Sequence, residues 1–138
     1  MREPNRVPFP LRAAKVVRRL ALPVVLLGGL LLWRNYGMFT VPEGMDTLPD
    51  SHPPGTRCLV EKRPSRVRPG SVVFVEARGG ILLSRVDAVL PGDRILLAHE
   101  NPRSRFADLQ DQPFPLSAVR ALVLVAFVPT PEVPSRAR

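Results

Sequence analysis

From Leu20 to Trp33 the chain runs 14 residues without a charged side chain. Such a run is resolved in one of three ways: inside a bilayer, inside a protein core, or removed as a secretory signal. As a helix it reaches only about 21 Å, short of the roughly 30 Å of bilayer hydrocarbon. Arg34 can carry its charge to the headgroups on an apolar stem. Tyr36, Met38, Phe39 and Val41 continue the apolar character, so that an anchor over residues 20–41 spans about 33 Å. Trp33 and Tyr36 suit the far interface as aromatic anchors, and Pro23 falls in the first turns, where proline is tolerated.

A cleaved signal needs a small-x-small site after its apolar core. Here Leu32, Trp33, Arg34, Asn35 and Tyr36 follow, large or charged, and favour an uncleaved anchor. A buried core helix is disfavoured by the basic side chains packed ahead of it. Residues 1 to 19 hold six basic side chains against Glu3 alone. The positive-inside rule then predicts a cytoplasmic N-terminus and an outer domain from about residue 37 on, with the membrane crossed once.

The same charge count disposes of a nucleic-acid reading. The net charge is +8, yet from residue 35 onward 13 basic side chains face 11 acidic ones. The basicity therefore belongs to the leader, whereas a nucleic-acid binder carries its positive stripe on the fold and interleaves aromatics for stacking. Cys58 is the single cysteine, so no internal disulfide forms; in an apolar strand it reads as a small core residue. No Cys/His set has metal spacing and no Gly-rich loop cradles a phosphate, so neither a cofactor, a metal nor a small-molecule substrate is expected.

Beyond Val41, short apolar runs alternate with turn residues, the pattern of a mainly β domain. Prolines number 17 in 138 residues, against a usual level of about 5%, and argue against a helical bundle. Strands are predicted at Arg57 to Glu61, Ser71 to Ala77, Ile81 to Val86, Arg94 to Ala98 and Ala118 to Val128. Their breaks are Pro53-Pro54-Gly55, Pro69-Gly70, a tight hairpin at Gly79-Gly80, and Pro91-Gly92-Asp93. The second strand, apolar on both faces for most of its length, is predicted to be central. The domain is placed at 42–128, and a Pro-rich tail at 129–138 is expected to be unstructured.

An anchor followed by Val41, Pro42, Glu43, Gly44, Met45, Asp46, Thr47 and Leu48, then the strand Gly55 to Lys62, resembles the entry to type I signal peptidases. Those enzymes carry a V-P-S-x-S-M-x-P-T-L box and then a G-D-x-V-L-V-x-K strand. Arg68 to Phe74 is similar to the family's R-G-D-I-V-V-F. Ser84 to Asp93, ending Leu90-Pro91-Gly92-Asp93, is similar to its K-R-V-V-G-L-P-G-D. Fainter likenesses are Asn101 to Phe106 and the closing strand from Ser117 to Leu124. The resemblance covers about 85 residues in the right order. It implies a β-rich protease-like domain on the outer face of the membrane, in which a serine attacks and a neutral lysine takes its proton.

Both of those positions are altered in this chain. The box reads Gly44-Met45-Asp46 with no serine before the methionine, Thr47 stands at the motif's structural threonine, and Ser84 occupies the place of the base, followed by Arg85. Arginine stays protonated and cannot replace the lysine. Lys62, the one lysine beyond the leader, sits between Glu61 and Arg63 as a solvated rim. Ser51 adjoins His52, and His99 adjoins Glu100 with Ser104 nearby, but neighbours in an extended chain point to opposite faces, so a rebuilt Ser/His unit is not expected.

The resemblance also implies an apolar, membrane-facing surface that holds an extended substrate strand. Met38, Phe39, Val41, Met45 and Leu48 keep that apolar character; they serve either such binding, by strand addition, or contact with lipid or with the domain itself. Gly28 and Gly29 permit a neighbouring helix to approach closely. The leading expectation is a catalytically degenerate accessory or structural subunit of a membrane protein complex, touching lipid and other subunits. The alternative is an active membrane-bound serine endopeptidase with a displaced site at Ser51 or Ser84.

Overall fold

The computed structural model describes residues 9–130; residues 1–8 of the basic leader and 131–138 of the Pro-rich tail lie outside the described residues. The chain divides into two compact units, Met1–Arg34 and Asn35–Arg138.

The first unit is one helix, α1, Phe9–Asn35. Its segment Ala13–Asn35 is long and apolar enough to cross a membrane, at 23 residues or about 34 Å. The length is gained backwards, through Lys15, Arg18 and Arg19, rather than forwards through residues 36–41. Tyr36–Thr40 instead form a strand, β1. The physical reason is local: Gly37 is a poor helix residue, Tyr, Phe and Thr favour strands, and five residues find backbone partners from Tyr36↔Glu61 to Thr40↔Arg57. The helix therefore ends at Asn35, and Pro23 lies in its interior, where it removes one backbone donor. Leu22, Val25 and Leu30 are each about two-thirds exposed. A helix apolar all round is stable in water only when something covers it, which is why this one suits lipid.

The second unit is a single antiparallel sheet of seven strands. After β1 come β2 (Arg57–Lys62), β3 (Val72–Ala77), β4 (Gly80–Leu90), β5 (Arg94–Ala98), β6 (Phe114–Pro115) and β7 (Val119–Phe127). Their order across the sheet is β1-β2-β7-β3-β4-β5-β6. The mainly β expectation and its five strands hold, and β3 is central, between β7 and β4. Two strands were not legible: β1, hidden in the apolar run of the anchor, and β6, too short at two residues to carry a period.

The β3–β4 hairpin closes on Arg78 and Gly79, both at positive φ, while Gly80 already pairs with Ala77. The turn thus sits one residue earlier than the Gly-Gly pair suggests. Two consecutive positive φ values give the twist a two-residue hairpin needs, and glycine meets only half of that requirement. Bulges interrupt the ladders at Leu59/Val60, Phe74/Val75 and Val86/Ala88; each bends its strand and raises the local twist.

Four successive β3 residues, Val72 to Val75, are buried, so both faces of the central strand are covered. Cys58, Val60, Leu82, Leu83, Val86, Ile95, Leu97 and Ala121 complete the core. Cys58 is fully buried, and burial pushes its thiol up from the ordinary value.

Candidate functional site

Between β1 and β2 the segment from Val41 to Thr56 closes into a loop pinned at its ends. Val41 N–H donates to the Thr56 carbonyl at 2.8 Å, and Gly55 N–H returns to the Val41 carbonyl at 2.9 Å. Gly44 sits at φ +84°, the left-handed region that glycine enters without strain. Thr47, fully buried, donates its hydroxyl to the Leu83 carbonyl of β4. Its own carbonyl accepts from the Glu100 N–H at 2.8 Å and the Asn101 N–H at 3.3 Å. The threonine therefore stitches the loop to the end of β5.

Within this loop the apolar residues turn inward. Val41, Met45 and Leu48 are buried in the core at 1%, 5% and 1% exposure, so they do not form part of a binding surface. Short residues of the box that looked available in sequence are instead the hydrophobic underside that holds the loop down. Of the five, Met38 and Phe39 remain open, at 55% and 40% exposure. Phe39 leans on Phe74 with ring centroids 5.5 Å apart. The sheet register sets Met38, Leu59 and Val125 side by side. Val125 and Phe127, two residues apart on β7 and about half exposed, widen that apolar face beyond what the loop sequence suggests. On α1, a Cβ at Gly28 or Gly29 would meet nothing within 4 Å, which leaves both open to a neighbouring helix.

Ser84, which the sequence resemblance sets at the place of a base, is fully buried on β4. Its hydroxyl donates to the Ala98 carbonyl at 3.1 Å. No base stands there, and the group is a strand-to-strand tie.

The polar centre lies next door, where Arg85 follows it on β4. Arg85 donates to the Gly70 carbonyl at 3.2 Å, to Ser51 Oγ at 3.4 Å and to Glu100 Oε1 at 3.3 Å. Glu100 Oε2 accepts the backbone N–H groups of Asp50 and Ser51, both at 3.1 Å. Burial works against the charged carboxylate, but the hydrogen bonds from Ser51, Asp50 and Arg85 outweigh it and hold Glu100 below its ordinary value. His52 Nδ1 lies 2.9 Å from Ser51 Oγ. Burial and then the Arg85 charge push His52 below its ordinary value, against the opposing pull of Glu100. A neutral imidazole beside a serine hydroxyl is the basic unit of nucleophilic chemistry.

This contact overturns the expectation that Ser51 and His52 point apart. The argument from alternation assumed extended backbone, whereas His52 N–H donates to the Leu48 carbonyl at 2.9 Å, an i→i−4 turn that brings consecutive side chains round together. The signal available in sequence was the turn chemistry of Pro49, Asp50, Pro53 and Pro54.

A second cluster ties the same loop to residues 99–106. Ser104 donates its hydroxyl to Asp46 Oδ1 at 2.7 Å, and Arg105 N–H reaches Asp46 Oδ2 at 3.3 Å. Burial raises the Asp46 carboxyl, and these hydrogen bonds bring it below its ordinary value. His99 takes no part: both ring nitrogens are shielded from solvent without a hydrogen-bond partner among the described residues. Burial lowers its basicity, partly opposed by Asp46. Lys62 lies along β1, where a Cβ at Gly37 would come within 2.7 Å of its Cε. Among the described residues no three His, Cys, Asp or Glu side chains gather as a metal site.

No protein-family model, curated protein or solved structure matches the chain.

Proposed function

We propose that this chain is a catalytically degenerate, signal-peptidase-like, single-pass protein of the bacterial inner membrane that works by binding, as an accessory or structural subunit of a membrane complex. Its N-terminus is cytoplasmic and its sheet is extracytoplasmic. The observation that carries the reading is the state of the two altered positions: Gly44 and Met45 offer no hydroxyl, and Ser84 is fully buried with its hydroxyl committed to Ala98. Binding falls to β1, which pairs on one side only, with β2, and presents Met38 and Phe39. An extended segment of another subunit pairs along such an edge through main-chain hydrogen bonds. Gly28 and Gly29 accept a neighbouring helix.

The test is threefold. The full chain stays with membranes in alkaline carbonate, leaves a secretory precursor uncut, and carries a stoichiometric partner through purification in gentle detergent. Purification alone, free of any partner, removes the motive for a subunit.

A second reading, an active serine endopeptidase with a displaced site, is favoured by the 2.9 Å contact between Ser51 and His52. Precursor cleavage that disappears on Ser51→Ala establishes it and overturns the first.

A further inference from the structure

From Lys62 to Gly70 the β2–β3 loop carries Lys62, Arg63, Arg66 and Arg68 and no acidic residue. A basic loop is ordinarily a solvated rim, but two observations set this one apart. The first is its place in the sheet. Tyr36, the residue after α1 ends, pairs with Glu61, so the loop leaves β2 beside the first residue beyond the membrane-crossing segment. Five residues of chain and one strand spacing keep Arg66 within about 22 Å of Tyr36. The second is a cleft of about 320 Å³ that the loop shares with the β4–β5 turn. Arg66, Arg68 and Arg94 rim it, Val89 and Ile95 supply apolar wall, and Asp93 is the single acid. Arg94 Nε donates to the Pro91 carbonyl at 3.3 Å. No described residue forms an ion pair or hydrogen bond with the guanidinium of Arg66 or Arg68.

We infer that this cleft is a binding site for a phosphoryl oxyanion, held by the guanidiniums of Arg66, Arg68 and Arg94. Planar guanidinium forks match phosphate oxygens in pairs. The guanidiniums suit the phosphate and the apolar wall the glycerol of an anionic lipid headgroup, while free inorganic phosphate shares the oxyanion chemistry. Asp93 is outnumbered three to one at the rim, which leaves the cleft net positive. The inference rests on the anchored reading above only for the lipid as source.

The experiment uses the full chain in neutral detergent. One arm adds phosphatidylglycerol, with phosphatidylcholine as reference, and counts bound lipid by native mass spectrometry. The other titrates inorganic phosphate calorimetrically. Each is repeated on Arg66→Gln/Arg68→Gln/Arg94→Gln and on a comparator with the same charge loss elsewhere, Arg57→Gln/Arg103→Gln/Arg105→Gln. All six arginines are exposed, and circular dichroism checks the fold; should the triple variant fail to fold, Arg66→Gln/Arg68→Gln replaces it. One saturable site is expected, weakened roughly 100-fold in the cleft variant at about fivefold per arginine and unchanged in the comparator. The arm in which it occurs names the source. No saturable binding in either arm, or an equal loss in both variants, overturns the site. The phosphate arm needs no bilayer, so it stays readable if the chain proves extractable by carbonate.

Discussion

His52 Nδ1 and Ser51 Oγ are 2.9 Å apart although the two residues are adjacent in the chain. The backbone N–H groups of Asp50 and of Ser51 itself both donate to Glu100, so neither is free to stabilise an oxyanion, a role worth about 10²–10³ in rate where a donor is in place.

A fluorophosphonate probe is expected to leave the protein unlabelled at neutral pH, by mass spectrometry of the intact chain. Stoichiometric labelling abolished by Ser51→Ala would show that the pair reacts despite Glu100.

Glu100 makes stability depend on acid in a defined direction. Its folded pKa lies below the ordinary 4.5, so its contribution is full above that value and is lost as pH falls through the folded pKa. Melting midpoints should drop between pH 5 and pH 3, and Glu100→Gln should flatten that drop while costing about 1–3 kcal/mol at pH 7. Asp46 acts with the same sign and keeps the remainder of the slope. A variant as steep as the wild type refutes the assignment to Glu100.

The two ring nitrogens of His99 are shielded from solvent with no hydrogen-bond partner among the described residues, so the ring is expected to cost the fold stability. His99→Leu should raise the unfolding free energy by about 1 kcal/mol. The gain should grow as pH falls below 6.5, because burial lowers the folded pKa and the unfolded chain then binds the extra proton. Chemical denaturation at pH 7.5 and 5.5 reads both effects; a loss of stability at both pH values refutes them.

Met38 is 55% exposed on the free edge strand. Met38→Lys should shift stability by no more than about 0.5 kcal/mol while a charge on the edge discourages strand pairing. If the proposed partner subunit pairs along β1, its recovery in detergent should fall at least severalfold relative to the wild type. Unchanged recovery removes β1 from the binding surface.

The core of the sheet was legible because β2, β3, β4, β5 and β7 each carry an apolar run bounded by turn residues. β1 was not, because Tyr36, Met38 and Phe39 serve an apolar anchor and an apolar strand equally well. What decides between them is pairing with residues 57–61, contacts 17 to 25 residues away that no local window contains. The burial of Val41, Met45 and Leu48 was hidden for a related reason: an apolar residue in a short loop shows no period from which its direction can be read. The absence of a serine before Met45 and of a lysine at position 84 was visible residue by residue. The Ser51–His52 contact was not, because it depends on a turn closed by Leu48 rather than on residue type.

No spacer separates Asn35, the last residue of α1, from Tyr36, the first of β1. Tyr36 is at once the first residue after the helix and the strand partner of Glu61, so residues inserted between Asn35 and Tyr36 lengthen the connection without touching the ladder, whereas deleting Tyr36 removes its first rung.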